Sequence, residues 1–193
     1  MVGLPSLGGP SDDDLFDDPE TFVPEHLPTP GRFLDGHDVL TGEDHLAVHE
    51  TTTELFDERG VYDMTFGYNL ARLNLDTRHP DSGYRYAEEA DDPSTLRAEF
   101  APTTPFCPQS DTLTKGSFRA WNGLSDRHDY DLVRVRVAET HHQSEEINNA
   151  LEALEASYRE TGSVEPLEDQ AQKTDEMPAF LASGPGDETD APF

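Results

Sequence analysis

With 193 residues the chain has the length of one ordinary domain with tails, and 41 acidic against 13 basic residues give it a net charge of −28. Lys115 and Lys173 are its only lysines; the other cations are arginine. Such a charge pushes a compact state apart in dilute buffer, but at about 1 M salt the Debye length falls to roughly 3 Å and most of the repulsion is screened. The composition therefore implies a soluble, halophilic protein in a salt-rich cytosol, and it excludes unassisted binding to nucleic acid or an anionic membrane, both of which reward basic surface.

Cys107 is the single cysteine, so neither an intrachain disulfide nor a paired-cysteine metal knuckle can form. No apolar run is long enough to span a bilayer. The start, MVGLPSLGGPSDDDLFDD, lacks the basic opening and apolar core of a secretory leader. The expected location is cytoplasmic.

Residues 1–38 carry Pro5, Pro10, Pro19, Pro24, Pro28 and Pro30 between acidic runs and read as a disordered tail. Thr41 is a suitable N-cap for a helix with Glu43 and Asp44 in its first turn, running to about Arg59 and stopped by Gly60. The run Thr51–Thr53 weakens that helix. Val61 to Tyr68 and then Leu70 to Leu75 follow, the second piece alternating apolar and polar as a half-buried strand does. His79–Gly83 is turn chemistry, and Tyr84 to about Pro93 reads as a short strand and loop.

Leu96–Phe100 alternates again as a strand and runs into the stiff loop Ala101–Pro108. Pro108 suits the first position of the next helix, whose buried face would hold Leu113, Trp121 and Leu124. Leu132, Val133, Val135 and Val137 make the clearest strand, with Arg134 and Arg136 on its opposite face. The last helix opens near His141–Glu146 and carries the stripe Ile147, Leu151, Leu154 and Tyr158. Residues 162–193 read as a second disordered acidic tail, in which Met177–Leu181 is either a docking peptide or, more simply, composition. The order of elements predicts an α/β (α+β) domain over 39–161, two-layered, with a small mixed sheet packed by helices and flanked by the two tails.

Chemistry concentrates at Cys107. A strand-to-helix loop places its thiol near a helix N-terminus, where free amides and the dipole favour a thiolate. That makes Cys107 a candidate reactive thiol or soft-metal ligand; the competing reading is a small buried residue filling the corner. His45 and His49, four apart, would share a helix face as metal-binding pairs do, but two surface histidines are the simpler reading.

The stretch LRAEFAPTTPFC, followed by a helix, a valine-rich strand and HHQSEEINNAL, resembles the iron–sulfur cluster assembly family of SufT, PaaD-like proteins and the eukaryotic cytosolic iron–sulfur targeting factor. Thr103, Pro105 and Cys107 take the positions of the family's Thr-x-Pro-x-Cys loop, with Thr104 between them. His142, Ser144 and Glu145 match its His-x-Ser-Glu turn, His141 stands where a threonine would, and Asn148 or Asn149 takes the place of an asparagine. The match covers roughly residues 95 to 160. It implies a small non-enzymatic factor that helps mature or deliver clusters to iron–sulfur client or assembly proteins through Cys107, with a transient iron–sulfur cluster or iron as cargo. One thiolate cannot hold a cluster that needs about four ligands, so the rest must come from a second subunit (a homodimer), a partner or a small thiol. Helix capping competes with function for Ser144, Glu145 and their neighbours. Two further functions stay open: a thiol enzyme using Cys107 with His142 as base, and a structural interaction module with an inert cysteine.

Overall fold

The computed structural model describes residues 15–165. Its elements are β1 (Asp38–Val39), α1 (Gly42–Arg59), β2 (Tyr62–Asp63), β3 (Tyr68–Asn69), β4 (Gly83–Glu89), β5 (Asp92–Ala101), α2 (Ser110–Gly123), β6 (Leu132–Val137) and α3 (Ser144–Thr161). One mixed sheet has the order β1-β4-β5-β6, and β2 with β3 forms a separate hairpin. The fold is α+β, as the order of elements predicts.

β4 and β5 pair antiparallel, with Tyr84 opposite Phe100 and Tyr86 opposite Ala98. β5 and β6 pair parallel, with Leu96 beside Val133, Ala98 beside Val135 and Phe100 beside Val137. A parallel pair needs a crossover, and α2 supplies it. Because side chains alternate along a strand, these residues share one sheet face. They form the core with Leu55 and Phe56 of α1, Phe118 and Trp121 of α2, and Ile147 and Leu151 of α3, all buried. Two buried hydroxyl contacts tie the helices to the sheet: Tyr84 Oη with Ser117 Oγ at 2.5 Å, and Tyr86 Oη with Thr52 Oγ1 at 2.9 Å.

α1 begins and ends where expected. Thr41 is extended at the N-cap position, although its side chain makes no capping bond, and Gly60 closes the helix at φ 67°, a left-handed conformation open to glycine. The three threonines are tolerated because each hydroxyl donates to a carbonyl one turn back: Thr51 to Ala47, Thr52 to Val48 and Thr53 to His49.

Two expectations are corrected. Leu70–Leu75 is a 3-10 helix, not a strand. At three residues per turn Leu70 and Leu73 fall on one face, and both are buried. The tail expected over 1–38 is folded from Leu15 onward. Phe16 bridges to Asp76, the Thr77 amide donates to Leu15 O at 3.0 Å, and the Asp81 amide donates to His26 O at 3.0 Å. Leu27 and Leu34 are buried, and the Gly31 amide donates to Glu99 Oε1 at 2.6 Å. A Cβ at Gly31 would stand 2.6 Å from that same oxygen, so a larger residue here would have to push the Glu99 carboxylate aside. Here backbone pairing and isolated apolar anchors, which have no period, replace the periodic face of a helix or strand. The expected tails at 1–14 and 166–193, and the Met177–Leu181 peptide, lie outside the described residues.

Arg134 and Arg136 do lie opposite the core valines, but that face is not solvent. Glu155 of α3 bonds Arg136 Nη2 at 3.0 Å and Arg134 Nε at 3.1 Å, and Glu89 bonds Arg97 Nη2 at 2.8 Å and Arg134 Nη1 at 2.7 Å. The Phe33 ring covers Arg97 and Arg136, at 4.7 and 5.3 Å from their guanidinium carbons.

β6 borders the sheet, and its outward carbonyls are filled by side chains. The Asn122 side chain exchanges two bonds with Val133, donating to its O at 2.8 Å and accepting from its N at 2.9 Å. Asn148 does the same with Val137, at 3.0 and 2.8 Å, and Arg136 Nη1 donates to Val135 O at 2.8 Å.

Among the described residues no helix is long and apolar enough to cross a membrane. In a chain of net charge −28, the folded domain is expected to gain stability with salt. Its thermal midpoint should rise between about 0.1 M and 1 M KCl, as the Debye length shrinks from about 10 to about 3 Å. A midpoint insensitive to salt would show that self-repulsion is unimportant here.

Candidate functional site

The loop after β5 is built from short turns. The Cys107 amide donates to Thr104 O and the Ser110 amide to Cys107 O, each at 3.3 Å, and α2 starts at Ser110. Pro108 therefore sits outside the helix, and Gln109 takes the N-cap position. Thr103 is half-buried, Thr104, Pro105 and Phe106 are exposed, and Cys107 is a partly exposed free thiol.

The parallel pairing of β5 and β6 delivers both strands to the same end of the sheet. The Ala138 amide continues the ladder by donating to Phe100 O at 2.8 Å. The turn after β6 is thereby laid against the loop after β5. The His142 amide donates to Pro105 O at 2.8 Å, and the His142 ring lies 5.5 Å from that of Phe106. His141 Nδ1 accepts from the Gln143 amide at 3.2 Å, which leaves the proton on Nε2; Nε2 lies 3.0 Å from Cys107 O and donates to it. His141 is buried. It locks the backbone of Cys107, a positioning role that its place beside a matched motif does not reveal.

His142 and Glu145 are exposed on one rim, with Glu146 beside them, and Ser144 is the half-buried first residue of α3. The N-cap position is Gln143, and no side chain caps there, so the capping explanation for Ser144 does not hold. Glu145 and Glu146 do lie in the first turn, where the helix dipole favours them. Asn148 takes its place through the paired bonds to Val137.

Gln109 joins a third segment to the site. Its Oε1 accepts from the Met64 amide at 3.2 Å and its Nε2 donates to Thr65 Oγ1 at 2.8 Å. The β2–β3 hairpin is thus tied to the loop through Gln109.

Residues 14–165 match the family model described as a domain of unknown function, DUF7998. The chain belongs to the DUF7998 family. The match opens just before Leu15 and ends at Glu165, so the folded N-terminal segment lies within the family domain. No curated protein and no solved structure matches the chain.

Among the described residues of this DUF7998 domain, no hydrogen bond joins the Cys107 thiol to a histidine, and no three His, Cys, Asp or Glu side chains converge as metal ligands would. Cys107 thus offers one soft ligand at an open rim.

His45 and His49 are elsewhere and are not surface residues. Both are buried, with rings stacked 6.0 Å apart on α1 beneath the N-terminal segment, where Phe22 packs 5.2 Å from His45. Burial, then His49 and Arg85, lower the pKa of His45 from 6.5 to about 3, and burial lowers that of His49 to about 4. They pack as neutral aromatics.

Proposed function

We propose that this protein is a non-enzymatic, cytoplasmic factor that hands iron–sulfur clusters, or iron, to client or assembly proteins through Cys107. One observation carries the reading. The Thr103–Cys107 loop and the His142–Glu145 turn, picked out separately in the sequence, are hydrogen-bonded neighbours, with His142 N on Pro105 O at 2.8 Å and His141 Nε2 on Cys107 O at 3.0 Å. The succession of β5, loop, α2, β6 and α3 also follows the order of the family that the sequence resembles.

The cluster is cargo. A cluster takes about four protein ligands and Cys107 supplies one, so the others come from the client, a small thiol or a second subunit. A partly exposed thiol on a backbone held by His141 suits such a handover: the ligand is fixed, and the remaining coordination faces outward. A thiol enzyme would need a base within about 3 Å of the sulfur, and His142 turns its ring to Phe106 instead.

Cys107→Ser tests the proposal. The variant should unfold within about 0.5 kcal/mol of the wild type, since the side chain is partly exposed and nearly isosteric. In cells lacking the wild-type protein it should leave iron–sulfur client enzymes largely inactive. Wild-type client activity in the variant would refute the handover role, and a purified monomer that retains a stable cluster would refute its transience.

A further inference from the structure

Three large apolar side chains stand exposed among the described residues, Tyr62 at 42%, Met64 at 82% and Phe106 at 73%, and the two most exposed, Met64 and Phe106, belong to the cysteine loop and the segment bonded to it. Single exposed apolar residues need no explanation, but a contiguous group does. Contiguity follows from the bonds already described. Gln109 ties the Met64–Thr65 backbone to the cysteine loop, and Phe106 leads across to His142. The hairpin tip is itself fixed: Asp63 Oδ1 accepts from the Thr65 amide at 2.7 Å and the Phe66 amide at 3.2 Å, and the Gly67 amide donates to Asp63 O at 2.8 Å. Met64 and Phe106 are therefore presented on rigid supports. Beyond His142 the surface continues into a shallow groove lined by Gln143, Glu145, Glu146 and Asn149. Glu145 and Glu146 are exposed there and make no ion pair within the described domain.

We propose that this strip is the docking surface for a different protein, which presents an apolar hollow to Phe106 and Met64 and arginine or lysine to Glu145 and Glu146. The proposal deepens the handover reading and rests on it, since it states which surface a client must offer. Charge selects the occupant. A second copy would bring the same free carboxylates, on a chain of net charge −28, against one another, whereas a basic rim complements them. Where salt is concentrated, rim charges act only at contact and the apolar anchors carry the affinity.

The test places a photo-crosslinking phenylalanine analogue at position 106 of the full chain in the cells that make it, with position 126, on an exposed residue remote from the strip, as control. The expected result is one adduct specific to position 106. Its partner, purified, should bind the wild type and Cys107→Ser equally at about 1 M KCl, bind Phe106→Ser/Met64→Ser about tenfold or more weakly, and bind Glu145→Arg/Glu146→Arg more weakly than the wild type. Each variant should melt as the wild type does, because the altered side chains are exposed. No adduct above the control, an adduct with a second copy, or unchanged affinity in Phe106→Ser/Met64→Ser would overturn the docking surface. Intact docking by a Cys107→Ser protein whose clients remain active would instead overturn the handover reading and leave the surface standing.

Discussion

Glu155→Ala should destabilise the domain by about 3–5 kcal/mol, the cost of leaving a buried charge without its partner. Glu155 and Arg136 have side chains exposed by only 6% and 3%, and their contact is 3.0 Å. Glu155 also meets Arg134 at 3.1 Å and Arg159 at 3.6 Å. Without it, Arg136 keeps Glu152, a solvent-exposed carboxylate at 3.6 Å, and the Phe33 ring. Neither replaces a buried partner. In a chain of this size each kcal/mol moves the midpoint by about 2–4 °C, so the fall should exceed about 6 °C. Glu152→Ala should change stability by well under 1 kcal/mol, as exposed pairs do. The paired exchange Glu155→Leu/Arg136→Met should recover most of the loss, because the charge and its partner leave together. A loss below about 1 kcal/mol in Glu155→Ala would show that water reaches Arg136.

The second large effect is on acid stability. His45 and His49 titrate near 6.5 when unfolded and at about 3 and about 4 when folded. Between about pH 6.5 and 4 the unfolded chain therefore binds more protons than the folded one, and stability falls as pH drops through that window. Each unit of displacement is about 1.4 kcal/mol, so the pair should cost several kcal/mol by the acid end. Among the groups facing them, Arg85 of β4 opposes the charging of His45, and Tyr86 Oη, which contacts Thr52 Oγ1 at 2.9 Å, also lies 3.5 Å from His49 Nδ1. Asp17 of the N-terminal segment, which lines the adjoining cleft, lies 2.5 Å from His26. Paired carboxylates add their loss lower down; Asp76, with burial opposing but Arg78 and Tyr68 prevailing, is held at about 2. His45→Leu/His49→Leu should unfold at neutral pH within about 1.5 kcal/mol of the wild type, since the volumes are close. His45 Nδ1 and His49 Nε2 have no hydrogen-bond partner to lose, and the one contact removed is the long 3.5 Å one between His49 Nδ1 and Tyr86 Oη. The slope of stability against pH between about 6.5 and 4 should flatten in that variant. An unchanged slope would assign the acid sensitivity to other groups.

Much of this was legible in the sequence, for physical reasons that also mark where reading stops. α1 announces itself through Thr41 and Gly60, β6 through alternating valine and arginine, and α3 through a stripe with helical spacing, because caps and periods are local properties. The cysteine loop and the histidine turn were each legible as motifs. Their meeting depends on β5 and β6 running parallel, which is a tertiary fact. The N-terminal segment was hidden because its attachment is backbone pairing plus widely spaced residues such as Leu27 and Leu34, set among prolines and acids that read as solvated chain. Leu70–Leu75 misleads because Ala71, Leu73 and Leu75 alternate with Arg72 and Asn74 in the letters, while the 3-10 turn buries Leu70, Ala71, Leu73 and Asn74 together. His45 and His49 mislead in another way, since a histidine letter does not say whether the ring is charged or packed neutral as an aromatic.

The side chains on β6 have a consequence for how the domain would behave in concentrated salt. With long-range repulsion screened, nothing electrostatic keeps two acidic molecules apart, and a bare strand edge would invite another chain to extend the sheet. Asn122, Arg136 and Asn148 already occupy the outward carbonyls of Val133, Val135 and Val137, so an incoming strand would have to break five bonds before making its own. The opposite border, β1, is two residues long and offers almost no template. The sheet is closed to growth on the β6 side by bonds that salt does not screen and on the β1 side by its shortness, a protection that does not depend on charge repulsion.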